Sequence, residues 1–202
     1  GMGDGVYITT TGVGVVAEGQ ELSGDRARPG DRIIVSGSIG EHGMAIMAQR
    51  ESIGFAAPIV SDTAALHGLF AVMRASGAAI RALRDPTRGG VATTLNEIAR
   101  QSGVGMMLQE SALPVQAEVA AACEFLGLDP LYVANEGKLL AIVAPEDTDS
   151  LLAAMQAHPL GQRAALIGTV HRDAQHFVQM TTAFGGRRIV DWLTGEQLPR
   201  IC

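Results

Sequence analysis

The sequence has few of the residues on which several common classes of protein depend. Only two of its 202 residues are cysteines, Cys123 and Cys202, too few for a disulfide scaffold or a zinc ribbon. The five histidines lack the spacing of metal ligands, so no metal site is expected. One of the 15 cationic residues is a lysine, Lys138, and the acidic excess gives a net charge of -6. Nucleic acid is therefore not expected as a partner, because proteins that bind it usually carry a basic excess.

Long apolar segments are also lacking. No stretch approaches the roughly 20 uninterrupted apolar residues of a membrane helix. Residues 1–5 have neither the cationic nor the apolar region of a signal peptide. The glycine before Met2 resembles the remnant of a cleaved tag. We therefore expect a soluble, cytoplasmic protein with free thiols and no membrane partner.

The apolar fraction of 47% is sufficient for a substantial core, and strand-like and helical patterns alternate along the chain. This order predicts an α+β fold, a mixed β-sheet flanked by helices in an α/β sandwich. The predicted strands are residues 6–16, 32–36, 79–84, 104–109, 131–134, 139–144, 164–170, 177–182 and 187–190, with 131–144 forming either two strands or one bulged strand. The predicted helices are residues 41–50, a helix capped by Ser61-Asp62 that ends near Gly77, 91–101, 115–126 and 147–158.

A turn between a predicted strand and a predicted helix is the first place where chemistry could occur. Its residues are Asp85, Pro86, Thr87, Arg88, Gly89 and Gly90. The two glycines allow a close approach of the backbone to a ligand, and the start of the helix offers amide groups and a positive dipole end. The arginine adds a planar fork for phosphate or carboxylate. The turn is either an anion cradle or a capped turn with a surface arginine.

The second place is the segment Asn135-Glu136-Gly137-Lys138, which lies between two apolar runs. A carboxylate in such a position is able to act as a base or to hold a divalent cation. The alternative is a solvated hairpin turn, for which asparagine and glycine are typical.

The third place is the C-terminal segment, Leu198–Cys202. A terminal arm is usually mobile, and an ionised thiol is a strong nucleophile. The alternative is an incidental final cysteine.

Two further residues receive structural interpretations. Cys123 follows three alanines on a predicted helix and is interpreted as a small core residue. His42 lies in a glycine-rich turn after a strand, where it either faces a ligand or belongs to a surface turn.

These pieces together resemble the C-terminal part of the HypE family of hydrogenase maturation proteins, within the aminoimidazole ribonucleotide synthetase (PurM-like) superfamily. The resemblance covers nearly the whole chain. It rests on SGSIGEHGMAIM at 36–47, RDPTRGGVATTLNEIA at 84–99, ANEGKLL at 134–140 and LPRIC at 198–202. The last motif is the one that discriminates this family from the rest of the superfamily.

The resemblance implies a role in making the cyanide ligands of [NiFe]-hydrogenase. The terminal cysteine would accept a carbamoyl group from the carbamoyltransferase HypF. ATP, with Mg²⁺, would drive dehydration of the thiocarbamate to a protein thiocyanate. The cyano group would then pass to iron on the HypC–HypD complex.

The resemblance also assigns roles to residues of this sequence. Cys202 is the implied covalent carrier, and Glu136 is the candidate base. The implied substrate and phosphate pocket consists of His42, Asp85, Arg88, Gly89, Gly90, Asn135 and Gly137.

The family's members are longer, with an N-terminal domain that carries most contacts to ATP and Mg²⁺ and much of the dimer interface. Residues 1–17 are therefore expected to be a remnant of that domain and 18–31 a linker. Residues 32–184 would form the PurM C-terminal-like domain, and 185–202 the tail. Such a fragment is expected to be inactive alone and to bind neither ATP nor Mg²⁺ tightly, whereas the full-length protein would be a homodimer.

Two other functions remain open at this point. One is a different PurM-like phosphoryl-transfer enzyme such as selenophosphate synthetase, although that family carries its reactive residue near the N-terminus. The other is a non-catalytic interaction domain in which Cys202 is incidental.

Overall fold

A mixed β-sheet of seven strands forms the centre of the structure, a computed structural model that describes residues 9, 11–16, 19, 21–50 and 58–193. The strands of the described part are β1 (Arg32–Val35), β2 (Ile80–Arg84), β3 (Gly105–Gln109), β4 (Leu140–Val143), β5 (Ala165–His171), β6 (Val178–Thr181) and β7 (Arg187–Ile189). Their order in the sheet is β2-β4-β1-β5-β3-β6-β7. Only the β3–β6 pairing is parallel, and all the other pairings are antiparallel.

Five α-helices pack around this sheet in the described part of the chain. They are α1 (Glu41–Arg50), α2 (His67–Ala75), α3 (Gly90–Ser102), α4 (Ala117–Leu126) and α5 (Thr148–Gln156). Short 3-10 helices cover Glu110–Ala112, Pro130–Tyr132, Pro145–Asp147 and Pro159–Gly161. No helix of the described residues has the length and apolar character needed to cross a membrane.

Both faces of the sheet are covered, which explains the continuous apolar runs of its central strands. In β1, Ile33 and Val35 belong to one core cluster and Ile34 to another. The first cluster includes α3 through Val91, Leu95 and Ile98, and the second includes α2 and α5 through Leu69, Met73, Leu151 and Met155. Complete burial of one such side chain contributes about 1.5–3 kcal/mol. The predicted sandwich is confirmed.

The helix and strand predictions around the 85–90 turn are confirmed. Residues 80–84 form β2, and α3 ends where Gly103 adopts a left-handed conformation with φ 66°. A glycine at this position permits the helix to end without strain. The strands predicted at 177–182 and 187–190 are also present as β6 and β7, and they pair antiparallel on either side of Gly185-Gly186.

Two local predictions are wrong. Residues 131–134 form no strand, since Pro130–Tyr132 is a 3-10 helix and Asp129 accepts a hydrogen bond from the Leu131 amide at 2.9 Å. The helix predicted after Ser61-Asp62 begins only at His67, with Leu66 at the cap position. The first segment bonds through Tyr132 to the Asp191 carbonyl and not to a neighbouring strand. In the second, the Asp62 carboxylate bonds to the segment 136–138 and does not cap a helix.

The N-terminal segment also differs from its prediction. Within the predicted strand at residues 6–16, residues 11–16 are exposed and have no strand conformation. A single segment gains little from an extended conformation without a neighbouring strand to pair with. Part of the expected linker packs on the domain, because Ala27 and Asp31 are buried. The division of the chain at residues 17, 31 and 184 stays a prediction.

Candidate functional site

Asn135 connects three loops that contain candidate site residues. It is 1% exposed, and its Oδ1 accepts a hydrogen bond from the Gly40 amide at 2.8 Å. Its Nδ2 donates to the carbonyl oxygens of Pro86 at 3.0 Å and Val133 at 3.1 Å. The turn after β1, the turn before α3 and the segment that contains Glu136 are therefore held together.

The turn before α3 depends on its two glycines. Gly89 and Gly90 have φ values of 75° and 60°, which side-chain-bearing residues rarely adopt. A Cβ atom on Gly90 would lie 2.5 Å from the Leu131 carbonyl oxygen. Both glycines are buried, whereas Asp85 and Arg88 are exposed. The N-terminal end of α3 therefore lies beside an exposed arginine, an arrangement that suits an anion.

The turn after β1 places two buried polar side chains at the start of α1. The Glu41 Oε1 atom accepts hydrogen bonds from the Ser38 hydroxyl and from Gln116 Nε2, the latter at 2.8 Å, while Oε2 has no partner in the described structure. His42 is 8% exposed, with Nδ1 2.8 Å from the Ser61 hydroxyl. The interpretation of His42 as part of a surface turn is therefore wrong.

The segment around Glu136 is fixed by Asp62, a residue that the sequence indicated only as a helix cap. The backbone amides of Glu136 and Gly137 donate to the Asp62 carboxylate at 3.1 Å and 3.2 Å. Lys138 Nζ pairs with the same carboxylate at 2.9 Å, and both side chains are buried. A Cβ atom on Gly137 would overlap the Asp62 carbonyl oxygen. Glu136 itself is half-buried.

One feature of the sequence indicates the Lys138–Asp62 pair, although it was not used in the sequence analysis. Lys138 is the single lysine and lies next to an apolar run. A buried ammonium group needs a carboxylate. The identity of that carboxylate was not apparent, because Asp62 is 76 residues away. The alternative of a solvated hairpin turn is therefore wrong, because Gly137 and Lys138 are buried and bonded to Asp62.

A cavity of about 380 Å³ opens beside this loop. Its polar lining includes Ser36, Ser38, Glu41, Asp62, Lys138 and Arg163. Charged and hydrogen-bonding groups of both signs thus line one space, which suits a small polar ligand. Among the residues that the structure describes, no three His, Cys, Asp or Glu side chains are grouped so as to hold a metal ion.

The implied carrier, Cys202, lies outside the described residues, as does the whole 198–202 motif. Cys123 is a free, buried thiol on α4, so its interpretation as a core residue is confirmed. Burial, with a smaller contribution from the negative charge of Asp129, raises the pKa of the Cys123 thiol to about 11.

The folded chain is expected to protect Cys123 from thiol reagents, because the thiolate is the reactive form. In a Cys202→Ser variant at pH 8, Ellman's reagent should react slowly with the native protein and rapidly after unfolding in urea. Stability should also fall as pH rises between about 9 and 11, where only the unfolded thiol ionises. Rapid reaction of the native variant would contradict the burial of Cys123.

A family model and several known proteins match this chain. Residues 28–181 match the family "AIR synthase related protein, C-terminal domain". The chain is 67% identical to "Carbamoyl dehydratase HypE" of Azotobacter vinelandii over all 202 residues, which span 59% of that relative.

Two solved structures are also similar. "Crystal Structure of Hydrogenase Maturation Protein HypE in complex with ATP" has a TM-score of 0.84 and 48% identity, covering 90% of this chain and 55% of that one. "Crystal structure of HypE-HypF complex" has a TM-score of 0.84 and 45% identity, covering 87% of this chain and 57% of that one. The chain thus spans less than two thirds of the proteins that it matches.

Proposed function

Because the chain belongs to the AIR synthase related family, and is similar along its length to the HypE hydrogenase maturation proteins, we propose that it is the C-terminal part of a carbamoyl dehydratase. The proposed reaction converts a carbamoyl group on the Cys202 sulfur into a thiocyanate. The single observation that carries the proposal is that a chain with this similarity also contains a loop that presents Glu136. Asp62 holds that loop through hydrogen bonds and an ion pair.

The proposed sequence of reactions begins with carbamoyl transfer. HypF would deliver the carbamoyl group to the Cys202 sulfur, forming an S–C bond. ATP supplies a phosphoryl group that makes the carbamoyl oxygen a leaving group. Loss of this oxygen with the phosphate and of two protons from the nitrogen leaves S–C≡N. Iron on HypC–HypD would then attack the cyano carbon and supply the electron pair of the new Fe–C bond. The S–C bond breaks with its electrons on sulfur, which takes up a proton to regenerate the thiol.

The residues of this chain would act on the nitrogen and on the phosphate. Glu136, at the rim of the loop held by Asp62, would accept a proton from the nitrogen. Arg88 and the amide groups at the start of α3 would face the phosphate. We infer that Mg²⁺ is held mainly by the N-terminal part of the complete protein. The complete protein is proposed to be a cytoplasmic homodimer.

Mass spectrometry tests the proposal on a chimera that joins the N-terminal part of the Azotobacter vinelandii relative to this chain. With HypF, carbamoyl phosphate and ATP, the peptide that contains Cys202 should gain the mass of a carbamoyl group and then that of a cyano group. A Cys202→Ser chimera should gain neither, and Cys123→Ser should behave like the parent. A parent chimera that gains no mass beside an active HypF would contradict the proposal.

A further inference from the structure

A second cavity, of about 370 Å³, shares no lining residue with the first. It is bounded by the segment before β1, the end of α2 and the edge strand β2. Four of its lining residues are arginines and one is acidic: Arg26, Arg28, Arg74, Arg81 and Glu21. We propose that this arginine groove binds an acidic, extended segment of a partner protein. This binding is independent of the carbamoyl chemistry.

The groove carries positive charge that the described structure does not neutralise. Arg26 pairs with Glu21, and Arg81 Nε pairs with Asp31 Oδ1 at 3.0 Å. Within the described residues, Arg28 and Arg74 take part in no ion pair. The arginine groove is thus a local cationic surface on a chain whose net charge is -6. Such a surface attracts acidic partners and holds them in a defined register.

The backbone of the arginine groove lacks the free amide groups on which phosphate sites commonly rely. Phosphate sites in proteins commonly rely on free amide groups at the start of a helix. Here α2 ends beside the groove, and its C-terminal end carries partial negative charge. The nearby amides are already used: Gly77 donates to the Arg74 carbonyl at 3.1 Å, and Ala79 donates to Asp147 Oδ2 at 2.9 Å. Recognition of an anion in this groove therefore depends on the guanidinium groups, which pair well with carboxylates.

The remaining lining of the arginine groove suits a peptide. Leu22, Phe70 and Ile80 add partly exposed apolar surface between the arginines. The outer edge of β2 is already partly covered, because the Ser23 amide donates to the Arg81 carbonyl at 3.2 Å. Recognition is therefore expected through side chains, with acidic residues on the arginines and apolar residues between them.

Fluorescence anisotropy tests the inference with the 202-residue chain and a labelled decapeptide of alternating glutamate and leucine. We expect saturable binding that weakens with salt and is lost when glutamine replaces glutamate. Arg74→Glu should raise Kd about tenfold or more, the range typical of an important interface arginine. Arg187→Glu, in β7 at the opposite edge of the sheet, makes the same change in net charge and should leave Kd nearly unchanged.

Circular dichroism establishes that each variant is folded, and Arg28→Gln and Arg74→Gln provide milder tests of the same groove. Equal losses in Arg74→Glu and Arg187→Glu would overturn the inference by showing a non-specific charge effect. Absence of peptide binding to the parent chain would overturn it as well. Displacement of the peptide by ATP or inorganic phosphate at lower concentrations than by unlabelled peptide would identify a phosphate site instead.

Discussion

Replacing Asp62 with leucine is expected to lower the free energy of unfolding by about 3–5 kcal/mol. The substitution leaves the Lys138 ammonium group buried without its carboxylate partner. It also removes the acceptor of the Glu136 and Gly137 amides. Each of these losses exposes a polar group to an environment with little water, where an unmade hydrogen bond is costly. Urea unfolding followed by circular dichroism measures the change.

A double variant separates the charge from the backbone bonds. Asp62→Leu combined with Lys138→Met should be less destabilised than Asp62→Leu alone, because no charge remains buried. Glu97→Leu breaks the exposed Arg84–Glu97 pair, whose side chains are 47% and 31% exposed, and should cost no more than about 1 kcal/mol. A loss of that small size in Asp62→Leu would show that the buried pair does not hold the loop.

Glu136→Gln in the chimera is expected to accept the carbamoyl group normally but to dehydrate it about 10²–10⁴-fold more slowly. Glutamine keeps the shape of the side chain and cannot take up the proton. A time course by mass spectrometry should therefore show carbamoyl accumulating on the peptide that contains Cys202, with the cyano form delayed.

Glu118→Gln, on the exposed face of α4, is the matched control and should dehydrate at the parent rate. Cyanation at the parent rate in Glu136→Gln would exclude Glu136 as the base while leaving the proposed function intact. Failure of the parent chimera to become carbamoylated bears instead on the function itself, so the two results are distinguishable.

Local sequence patterns predicted those elements whose limits are set locally. Residues 41–50 form a helix with the predicted bounds, and α3 (Gly90–Ser102) extends one residue beyond each end of the predicted helix 91–101. The same reasoning was wrong for residues 131–134, which resemble a strand in composition. Within that segment, the Tyr132 hydroxyl donates to the Asp191 carbonyl and the Ala134 carbonyl accepts from the Gly43 amide. These partners lie far away in the chain, and only the folded structure reveals them.

The candidate site shows the same division. The sequence pointed to Asn135, Gly90 and Gly137 through a family resemblance, and their membership of one pocket stays a prediction. It did not indicate Glu41 as a buried carboxylate, and it assigned Asp62 to a helix cap. The burial of a charged side chain depends on a partner that lies far away in the chain, and a single sequence does not reveal which residue that partner is.

The burial of Lys138 also determines how the chain responds to acylation. Its ammonium group, the one side-chain amine in the sequence, is paired with Asp62 and nearly inaccessible. Reagents and enzymes that acylate lysine therefore meet no accessible lysine side chain in the folded domain. An acyl group found at Lys138 would record that the loop around Glu136 had opened, so this residue is an internal reporter of the order of that loop.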